Sequence, residues 1–391
     1  MSAGRRIAVL HDSPGFGGHE RAFLTWLPAL LASPRIGELH LFVPDRNEVF
    51  LRELHKADHP KLRITLSPHV KGPGEPFQAL LRGKYGRAAA NFVSQVEADV
   101  VLMLQGRIEN LATPMAWLPA KTDIVSYVPM AHAGSEMGRS AALSVVTDSI
   151  KRLYYARPQR MIVPSQAVAA QARRAGAKGQ ITVVENVPEP APDGTSRDAA
   201  REMLGLDPDR RIALFMGRFD THQKGLDHLI RDLGQSQGRL DDWLFLLVGA
   251  GPAEAALKTA FQQAGVACQF VPWTAEPRRY LAASDVLLAP SRFEGVPLVM
   301  LEAMQSGLPI LASDIDVYRE YLPAFSLRDF AAPVDLPAAL NALTEAEAIE
   351  AYRRHAETVC ARLDLRTSQA RFLDALLGAP SEPAPATSPA P

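Results

Sequence analysis

Short apolar runs alternate with helix-like segments along almost the whole chain, and this alternation limits the folds that the sequence can adopt. Runs of four to seven mostly apolar residues that are separated by helical segments are typical of parallel sheets built from βαβ units. The sequence therefore predicts an α/β fold. The runs are IAVL (7–10), LHLFV (39–43), LRITL (62–66), DVVLML (99–104), DIVSYV (123–128), RMIV (160–163), ITVV (181–184), RIALFMG (211–217), WLFLLVG (243–249), CQFV (268–271), DVLLAP (285–290) and PILAS (309–313).

The Pro-rich segment ENVPEPAPDGTS (185–196) interrupts the alternation and predicts an interdomain linker. A chain of 391 residues is long enough for two domains, each with its own core. We therefore expect two doubly wound, Rossmann-like domains that face each other, over residues 1–187 and 188–377. The last predicted helix is free to pack back on the first domain. Residues 378–391 are rich in Pro, Ala and Ser and are predicted to be a disordered tail.

Charge is distributed unevenly, although the net charge is only -1. Through residue 187 there are 23 Lys and Arg against 15 Asp and Glu, whereas the remainder has 19 against 28. A basic first half fits phosphate ligands, an acidic polymer or an anionic membrane surface, and it also fits a solubility pattern without a partner. No nucleic-acid-reading motif accompanies the basic residues, so no nucleic-acid partner is predicted.

Two cysteines cannot build a disulfide framework or a cysteine-based zinc site, which fits a reducing compartment. The first apolar run is too short for the core of a signal peptide, and no run approaches the ~20 apolar residues of a membrane span. These features predict a cytoplasmic protein that is at most peripheral at the inner face of the membrane.

Two glutamates, Glu294 and Glu302, have seven residues between them in SRFEGVPLVMLEAM (291–304). On one continuous helix they would lie about 80° apart and could form an ordinary solvated edge. The preceding run DVLLAP instead predicts a buried strand, followed by a loop with Glu294 and a helix with Pro297 in its first turn and Glu302 further on. Because open α/β sheets bind ligands beyond the carboxyl ends of their strands, these acids can face ligand hydroxyls and the amides of residues 296–299 can face phosphates.

Two further loops of the second half follow predicted strands. GRFDTHQKG (217–225) contains Arg218 and Lys224, which suit a diphosphate clamp, although two cations in a loop are often ordinary solvent-exposed surface. VGAGP (248–252) places Gly249 and Gly251 where a nucleotide could approach the backbone. Trp273 either lines a base pocket or packs in the core.

In the first half, the turn HDSPGFGGHER (11–21) follows the first strand and precedes a helical segment. Its glycines let backbone amides approach a phosphate, or serve turn geometry alone. Gly15, Gly17 and Gly18 do not form the G-x-G-x-x-G dinucleotide motif, because the third glycine would fall on Glu20, and this lowers the odds of an NAD enzyme.

Three other polar residues follow predicted strands. His132 could hydrogen-bond a sugar, although a single histidine is more often structural. Asp314 and Asp316 form only a short D-x-D match without further ligands placed nearby, so no metal is expected.

Several of these motifs occur together in a familiar order: GGHER, VPSQAVAAQARRAGAKGQITVVENV, GRFDTHQKG, VGAGP and FEGVPLVMLEAMQSGLPILASDI. The ordered set resembles the retaining glycosyltransferases of the GT-B fold, glycosyltransferase family 4 (glycosyl transferases group 1), and spans most of the chain. His19 stands where the family would have a small or apolar residue, and DIDVYREYL (314–322) replaces a turn that is often Gly-rich.

The resemblance implies two Rossmann-like domains with a nucleotide sugar in the cleft between them. Arg218 and Lys224 would neutralise its diphosphate, Glu302 would bind the ribose hydroxyls and Glu294 would contact the donor sugar. Gly17 and Gly18 would approach the diphosphate and the acceptor, and His132 would lie near the hexose. The resemblance assigns catalytic roles to Glu294, His132, Arg218 and Lys224, and donor binding also to Gly249, Gly251, Gly295, Val296, Pro297 and Leu298. No cofactor and no metal are expected, since the nucleotide sugar is a co-substrate.

The expected activity is transfer of a hexose, with retention, from a UDP- or GDP-sugar to a saccharide, lipid-linked or small-molecule acceptor, in bacterial polysaccharide or glycoconjugate synthesis. Peripheral membrane contact through the basic first half is an accompanying expectation. Two alternatives stay open: a GT-B-type nucleotide-sugar epimerase or phosphorylase, and a catalytically silent subunit that binds a nucleotide sugar.

Overall fold

The computed structural model describes residues 4–72, 74–138, 140–189, 195–236, 238–274 and 276–378. These residues form two compact units. The N-terminal unit contains residues up to 131, residues 142–186 and the described residues from 364 onwards. The C-terminal unit contains residues 132–141 and the described residues of 187–363.

The N-terminal unit is built on a seven-stranded parallel sheet with the strand order β3-β2-β1-β4-β5-β6-β7. Every strand overlaps one of the predicted apolar runs, because strands of parallel sheets consist largely of apolar residues such as Val, Ile and Leu. The strands are β1 (Arg5–Leu10), β2 (Ile36–Pro44), β3 (Leu62–Ser67), β4 (Val100–Leu104), β5 (Ile124–Tyr127), β6 (Arg160–Val163) and β7 (Gln180–Val183).

Helices of the N-terminal unit cover this sheet, and one of them comes from the end of the described chain. Trp26 of the first helix stacks on Phe372 of the last, with ring centroids 4.2 Å apart, and its indole Nε1 donates to Ser368 Oγ at 3.0 Å. The helices are α1 (Gly18–Ala32), α2 (Glu48–His55), α3 (Glu75–Gln78), α4 (Gly83–Val96), α5 (Ala112–Trp117), α6 (Ala141–Tyr155), α7 (Gln166–Ala175) and α16 (Leu365–Leu377).

The C-terminal unit has a six-stranded parallel sheet in the order β10-β9-β8-β11-β12-β13. Five strands match predicted runs, and the two-residue edge strand β13 was missed because two residues carry no periodic signal. The strands are β8 (Arg211–Met216), β9 (Trp243–Val248), β10 (Ala267–Val271), β11 (Val286–Ala289), β12 (Ile310–Ser313) and β13 (Leu327–Arg328).

Helices also alternate with the strands of this second sheet. They are α8 (Arg197–Leu204), α9 (Leu226–Gly234), α10 (Glu254–Ala264), α11 (Pro277–Ala283), α12 (Leu298–Gln305), α13 (Asp316–Tyr321), α14 (Leu336–Leu343) and α15 (Ala346–Cys360), with a short 3-10 helix at Ala324–Ser326. Both sheets reverse their strand order next to the first strand of the unit, which is the doubly wound, Rossmann-like arrangement predicted from the sequence.

The contacts divide the chain differently from the predicted boundaries in two segments. Helix α16 belongs to the N-terminal unit, because Trp26 and the carbonyl-binding Arg160 hold it there. Residues 132–141 belong to the C-terminal unit, although they follow β5. The predicted linker lies partly outside the described residues, and the predicted tail beyond residue 378 lies wholly outside them. Within the described ranges, no helix is both long and apolar enough to cross a bilayer.

Candidate functional site

Glu294 and Lys224 form a close ion pair beyond the carboxyl edge of the second sheet. Lys224 Nζ lies 2.6 Å from Glu294 Oε1, and the side chains are 19% and 5% exposed. Ser291 donates its hydroxyl to the same oxygen at 2.9 Å, and Gln223 Nε2 lies 3.3 Å from Oε2. The two residues that the resemblance assigns to the diphosphate and to the donor sugar therefore contact each other directly.

The loop that carries Lys224 can reach Glu294 because the following residue is a glycine. Gly225 has φ +63°, and a Cβ at this position would overlap the carbonyl oxygen of Pro290. Only a residue without a side chain combines this left-handed backbone with such a close approach. Gly225 thus fixes the spacing between the loop after β8 and the loop after β11.

Arg218 is the more accessible of the two predicted clamp residues. Its side chain is 59% exposed and lies 3.5 Å from Asp220 and 3.3 Å from the amide oxygen of Gln223. Gln223 also contacts Glu294, so it links Arg218 to the ion pair. A cation held this loosely in solvent can reorient toward a ligand at little cost.

His132 contacts the same loop from the segment that follows β5. Its Nε2 lies 3.0 Å from the carbonyl oxygen of Glu294, and its Nδ1 lies 3.2 Å from a carboxylate oxygen of Glu136. Since a carbonyl oxygen only accepts, Nε2 carries a proton and donates it. The ring also packs against Phe293, with centroids 5.2 Å apart. The structure thus brings His132, Glu294 and Lys224 together, as three of the four predicted catalytic residues.

The second acid of the pair lies on the helix that follows. Glu302 is on α12 and is buried, whereas Glu294 is in the preceding loop, as predicted. Pro297 occupies the N-cap position of α12 rather than its first turn, because its ψ of 127° is not helical. Gly295 and Val296 are buried in the loop, and the partly buried Leu298 begins the helix, so the free amides of the first turn start at Leu298.

Gly249 and Gly251 are required by contacts between two loops. They have φ +141° and +158°, and Cβ atoms there would overlap the carbonyl oxygens of Gly217 and Phe219, respectively. The two glycines therefore hold the loop after β9 against the loop that carries Arg218. Their role in donor binding remains a prediction.

Tyr318 is a site residue that sequence reasoning missed. It is buried beside Ser291 and Glu294, and burial together with the charge of Glu294 raises the pKa of its phenol well above the usual value. The phenol is therefore neutral at pH 7 and can donate a hydrogen bond. Tyr318 comes from α13, and nothing in DIDVYREYL indicates that this side chain returns to the loop after β11.

The structure decides one other interpretation. Trp273 is 75% exposed, so the interpretation that it packs in the core is wrong. Asp314 forms a 2.6 Å ion pair with Arg319, and this hydrogen bond lowers the pKa of Asp314. Asp314 thus already has a cationic partner.

In the N-terminal unit, the turn with Gly17 and Gly18 leads into a buried cluster of polar residues. A Cβ at Gly18 would meet nothing within 4 Å, so packing inside the unit does not explain this glycine. Glu20 Oε1 lies 3.1 Å from His11 Nε2, and Glu20 Oε2 lies 3.0 Å from His19 Nδ1. Burial raises the pKa of Glu20, but the hydrogen bond and charge of His11 and the charge of His19 outweigh it and lower the pKa overall.

Of the residues that the structure describes, His11, His19 and Glu20 also form the one group whose potential metal-ligand atoms converge, all within 4.8 Å of one another. The sequence did not predict this group, because it arises from the turn between β1 and α1. In the structure its atoms are arranged as a hydrogen-bonded network, in which Glu20 also accepts from the amide of Gly17 at 2.8 Å.

Comparison with known proteins places this geometry in a family context. Residues 210–342 match the family model described as Glycosyl transferases group 1. The lipopolysaccharide core biosynthesis mannosyltransferase LpsB of Rhizobium meliloti is 34% identical over 128 residues, which cover 31% of this chain and 36% of LpsB. The putative teichuronic acid biosynthesis glycosyltransferase TuaC of Bacillus subtilis is 32% identical over 120 residues, which cover 31% of this chain and 29% of TuaC. The matched segment thus spans about a third of the length of these relatives.

The fold is similar over nearly the whole chain. The crystal structure of HepE from Anabaena in complex with UDP-glucose superposes with a TM-score of 0.71, covering 96% of this chain and all of HepE, at 18% sequence identity. The chain thus has the GT-B fold with two Rossmann-like units, and residues 210–342 match the group 1 glycosyl transferases.

Proposed function

We propose that this protein transfers a hexose from a nucleotide diphosphate sugar to a saccharide, lipid-linked or small-molecule acceptor, with retention of configuration and without a metal. LpsB is named for lipopolysaccharide core biosynthesis and TuaC for teichuronic acid biosynthesis, which supports a role in bacterial polysaccharide or glycoconjugate assembly. HepE is described in complex with UDP-glucose, which supports a UDP-sugar as donor.

The observation that carries the proposal is the Lys224–Glu294 pair, with Arg218 beside it. In glycosyl transfer, positive charge develops on the sugar ring while negative charge grows on the departing phosphate. Lys224 and Arg218 supply preorganised positive charge for the phosphate, and the Glu294 carboxylate supplies negative charge for the sugar. Lys224 and Glu294 contact each other directly, and each offsets the cost of burying the other.

Other residues around the pair would orient the donor. The amides at the start of α12 suit a phosphate, Glu302 suits the ribose hydroxyls, and Gly249 and Gly251 allow the backbone to approach the nucleotide. His132 donates to the carbonyl oxygen of Glu294 and would fix this loop while lying near the hexose. Two cations at the phosphate make a divalent metal unnecessary for stabilising the leaving group.

The proposal is tested by measuring donor binding and turnover on the purified chain. UDP- and GDP-sugars are titrated by calorimetry in EDTA, and slow hydrolysis of the donor is followed with and without magnesium. We expect one donor to bind and to be hydrolysed equally with and without magnesium. Glu302→Ala should weaken its binding at least tenfold, about 1.4 kcal/mol, whereas the exposed Glu347→Ala should not. The anomeric coupling of a transferred sugar, read by NMR, then reports retention.

Other outcomes would favour the alternative functions. Conversion of the donor sugar without any acceptor would indicate an epimerase, and consumption of free phosphate would indicate a phosphorylase. Tight donor binding without turnover in the presence of any acceptor would indicate a silent binding subunit. A strict requirement for magnesium would contradict the metal-free part of the proposal.

We also propose that the N-terminal unit contacts an anionic membrane surface. Leu80 and Leu81, between α3 and α4, are 74% and 85% exposed. Arg82 pairs with the preceding Glu75. No acidic residue occurs from residue 76 to residue 96, and Lys84 and Arg87 follow the two leucines within this range. Exposed apolar side chains next to basic ones match the interface of an anionic bilayer, where leucines enter the boundary region and cations meet the headgroups.

Membrane contact is measured by co-sedimentation with vesicles. We expect binding to vesicles of phosphatidylglycerol and phosphatidylcholine and little binding to phosphatidylcholine alone. Replacing both leucines by Ser should remove most of the binding, whereas the control Met203→Ser, at a position of α8 that is also largely exposed, should not. A different result would assign the leucines to self-association. In that case the wild type would not bind vesicles but would dimerise with increasing concentration, and the two serine substitutions would abolish the dimer.

A further inference from the structure

Three polar residues of the N-terminal unit converge beyond the carboxyl edge of its sheet. His19 follows β1, Lys71 follows β3 and Arg107 follows β4. The backbone amide of Lys71 donates to the carbonyl oxygen of Asp12 at 2.9 Å, which ties the second segment to the first. The ring of His19 packs against Gly106, where a Cβ would lie 3.2 Å from His19 Cε1, and Arg107 is the next residue.

The imidazole of His19 has a fixed tautomer. Its Nδ1 faces Glu20 Oε2 at 3.0 Å, and a carboxylate only accepts hydrogen bonds, so Nδ1 carries the proton. Burial lowers the pKa of His19 to about 4, against the opposing charge of Glu20, so the ring is neutral at pH 7. Its Nε2 therefore presents a lone pair, and this buried atom has no hydrogen-bond partner within the described part of the chain. A lone pair in this position suits a donor such as a sugar hydroxyl.

Lys71 and Arg107 add two positive charges that no carboxylate of the described residues contacts directly. Neither side chain forms an ion pair with any of the described residues. Burial lowers the pKa of Lys71 and the charge of Arg107 lowers it further, against the opposing charges of Asp12, Glu109 and Glu20. Lys71 is nevertheless an exposed residue and Arg107 is half-buried, so a ligand from solvent can reach both side chains.

The nearby acids are already engaged elsewhere. Asp12 accepts from the amide of Leu111 at 2.8 Å and from Asn110 at 3.2 Å, and Glu109 pairs with Lys151 at 2.7 Å. The charges of Asp12, Glu109 and Glu20 act on Lys71, and the charge of Arg107 acts on Glu109. The two cations still repel each other, and an anion bound between them would relieve this repulsion. The arrangement thus combines an open position for an anion with an acceptor for a hydroxyl.

We infer that His19, Lys71 and Arg107 form an acceptor subsite for a sugar or polyol that carries an anionic group. A phosphate or carboxylate would lie between Lys71 and Arg107, and a neighbouring hydroxyl would donate to His19 Nε2. This inference rests on the proposed function, and it restricts the acceptor to phosphorylated or acidic saccharides. His19 has a binding role here, and no covalent step is assigned to it.

Direct binding tests the subsite independently of turnover. EDTA-treated protein with its nucleotide site saturated by UDP is titrated with glucose 6-phosphate, glucuronate and glucose. We expect at least one anionic sugar to bind at least tenfold more tightly than glucose. A preference for glucose 6-phosphate would indicate a phosphate-bearing acceptor, and a preference for glucuronate would indicate a carboxylate-bearing acceptor.

Variants distinguish the subsite from general charge attraction. Lys71→Ala and Arg107→Ala should each remove most of the preference for the anionic sugar, whereas the exposed Lys121→Ala should leave it unchanged. His19→Ala should weaken the binding of the anionic sugar at least fivefold, and the control His55→Ala should not. Unfolding temperatures measured without ligand show whether each variant is folded, and Lys71→Gln and Arg107→Gln replace any alanine variant that is not.

The outcomes separate this inference from the proposed function. If a nucleotide sugar binds and is hydrolysed but glucose binds as well as the anionic sugars, the subsite is refuted and the transferase proposal stands. If the anionic sugar binds through Lys71 and Arg107 while no nucleotide sugar binds, the transferase proposal fails instead. Equal effects of Lys121→Ala and Lys71→Ala would also overturn the subsite.

Discussion

Replacing Lys224 by Ala should lower kcat/KM for glycosyl transfer at least tenfold, which corresponds to about 1.4 kcal/mol of barrier. Two effects act in the same direction. The departing phosphate loses a cation that is already in place, and the buried carboxylate of Glu294 loses its 2.6 Å partner. An uncompensated buried charge is costly, so we also expect the unfolding temperature to fall. Steady-state kinetics and thermal unfolding measure the two effects separately.

A double-mutant cycle separates two effects of Lys224: its stabilising contact with the Glu294 carboxylate and its contribution to binding the diphosphate. Glu294→Gln removes the carboxylate, so Lys224→Ala in that background should cost less stability than in the wild type. Lys258→Ala is the matched control, because this exposed lysine also pairs with a glutamate, Glu254, at 2.7 Å. Wild-type kcat/KM in Lys224→Ala would exclude the diphosphate clamp.

Gly249→Ala should destabilise the C-terminal unit and reduce activity together. Alanine at φ +141° is strained, and its Cβ would overlap the carbonyl oxygen of Gly217, so the loop next to Arg218 must move. Backbone strain of this kind costs about 1–3 kcal/mol. For a unit of this size we expect the unfolding temperature to fall by about 3–10 °C, as measured by calorimetry.

Two other glycines provide controls for this prediction. Gly265 has φ +68°, but no atom lies near the position that a Cβ would take, so Gly265→Ala reports the cost of the backbone conformation alone and should be milder. Gly18 has neither a positive φ nor a nearby atom, so Gly18→Ala should leave stability unchanged and lower activity only if a ligand approaches there. Equal destabilisation by Gly249→Ala and Gly265→Ala would contradict the role of the loop contact.

The predicted strands match the structure closely because their signal is local. A strand covered on both faces must be apolar over its whole length, and runs such as RIALFM and WLFLLV reveal this without knowledge of their neighbours. The sequence left the placement of α16 open. An amphipathic pattern indicates that a helix packs with one face, but it does not indicate which part of the chain that face contacts. Its stacking partner Trp26 lies more than three hundred residues earlier in the chain.

In the candidate site, too, local features were predictable from the sequence and contacts between distant residues were not. The apolar run DVLLAP and the position of Pro297 placed Glu294 on a loop and Glu302 on a helix, and the order of the motifs indicated the fold. The sequence could not reveal that Tyr318 adjoins Glu294, or that residues 132–141 join the C-terminal unit. These contacts depend on where loops from separate strands end.

The sequence by itself thus determined the α/β class, the parallel strands and the motifs at the ends of those strands, because each follows from hydrophobic pattern and backbone chemistry within a few residues. Only the tertiary structure decided that Lys224 neutralises Glu294 and that Glu20 fixes the ring of His19. Ion pairs and tautomers depend on distances of about 3 Å between side chains, and these distances are set by how loops pack at the edge of a sheet.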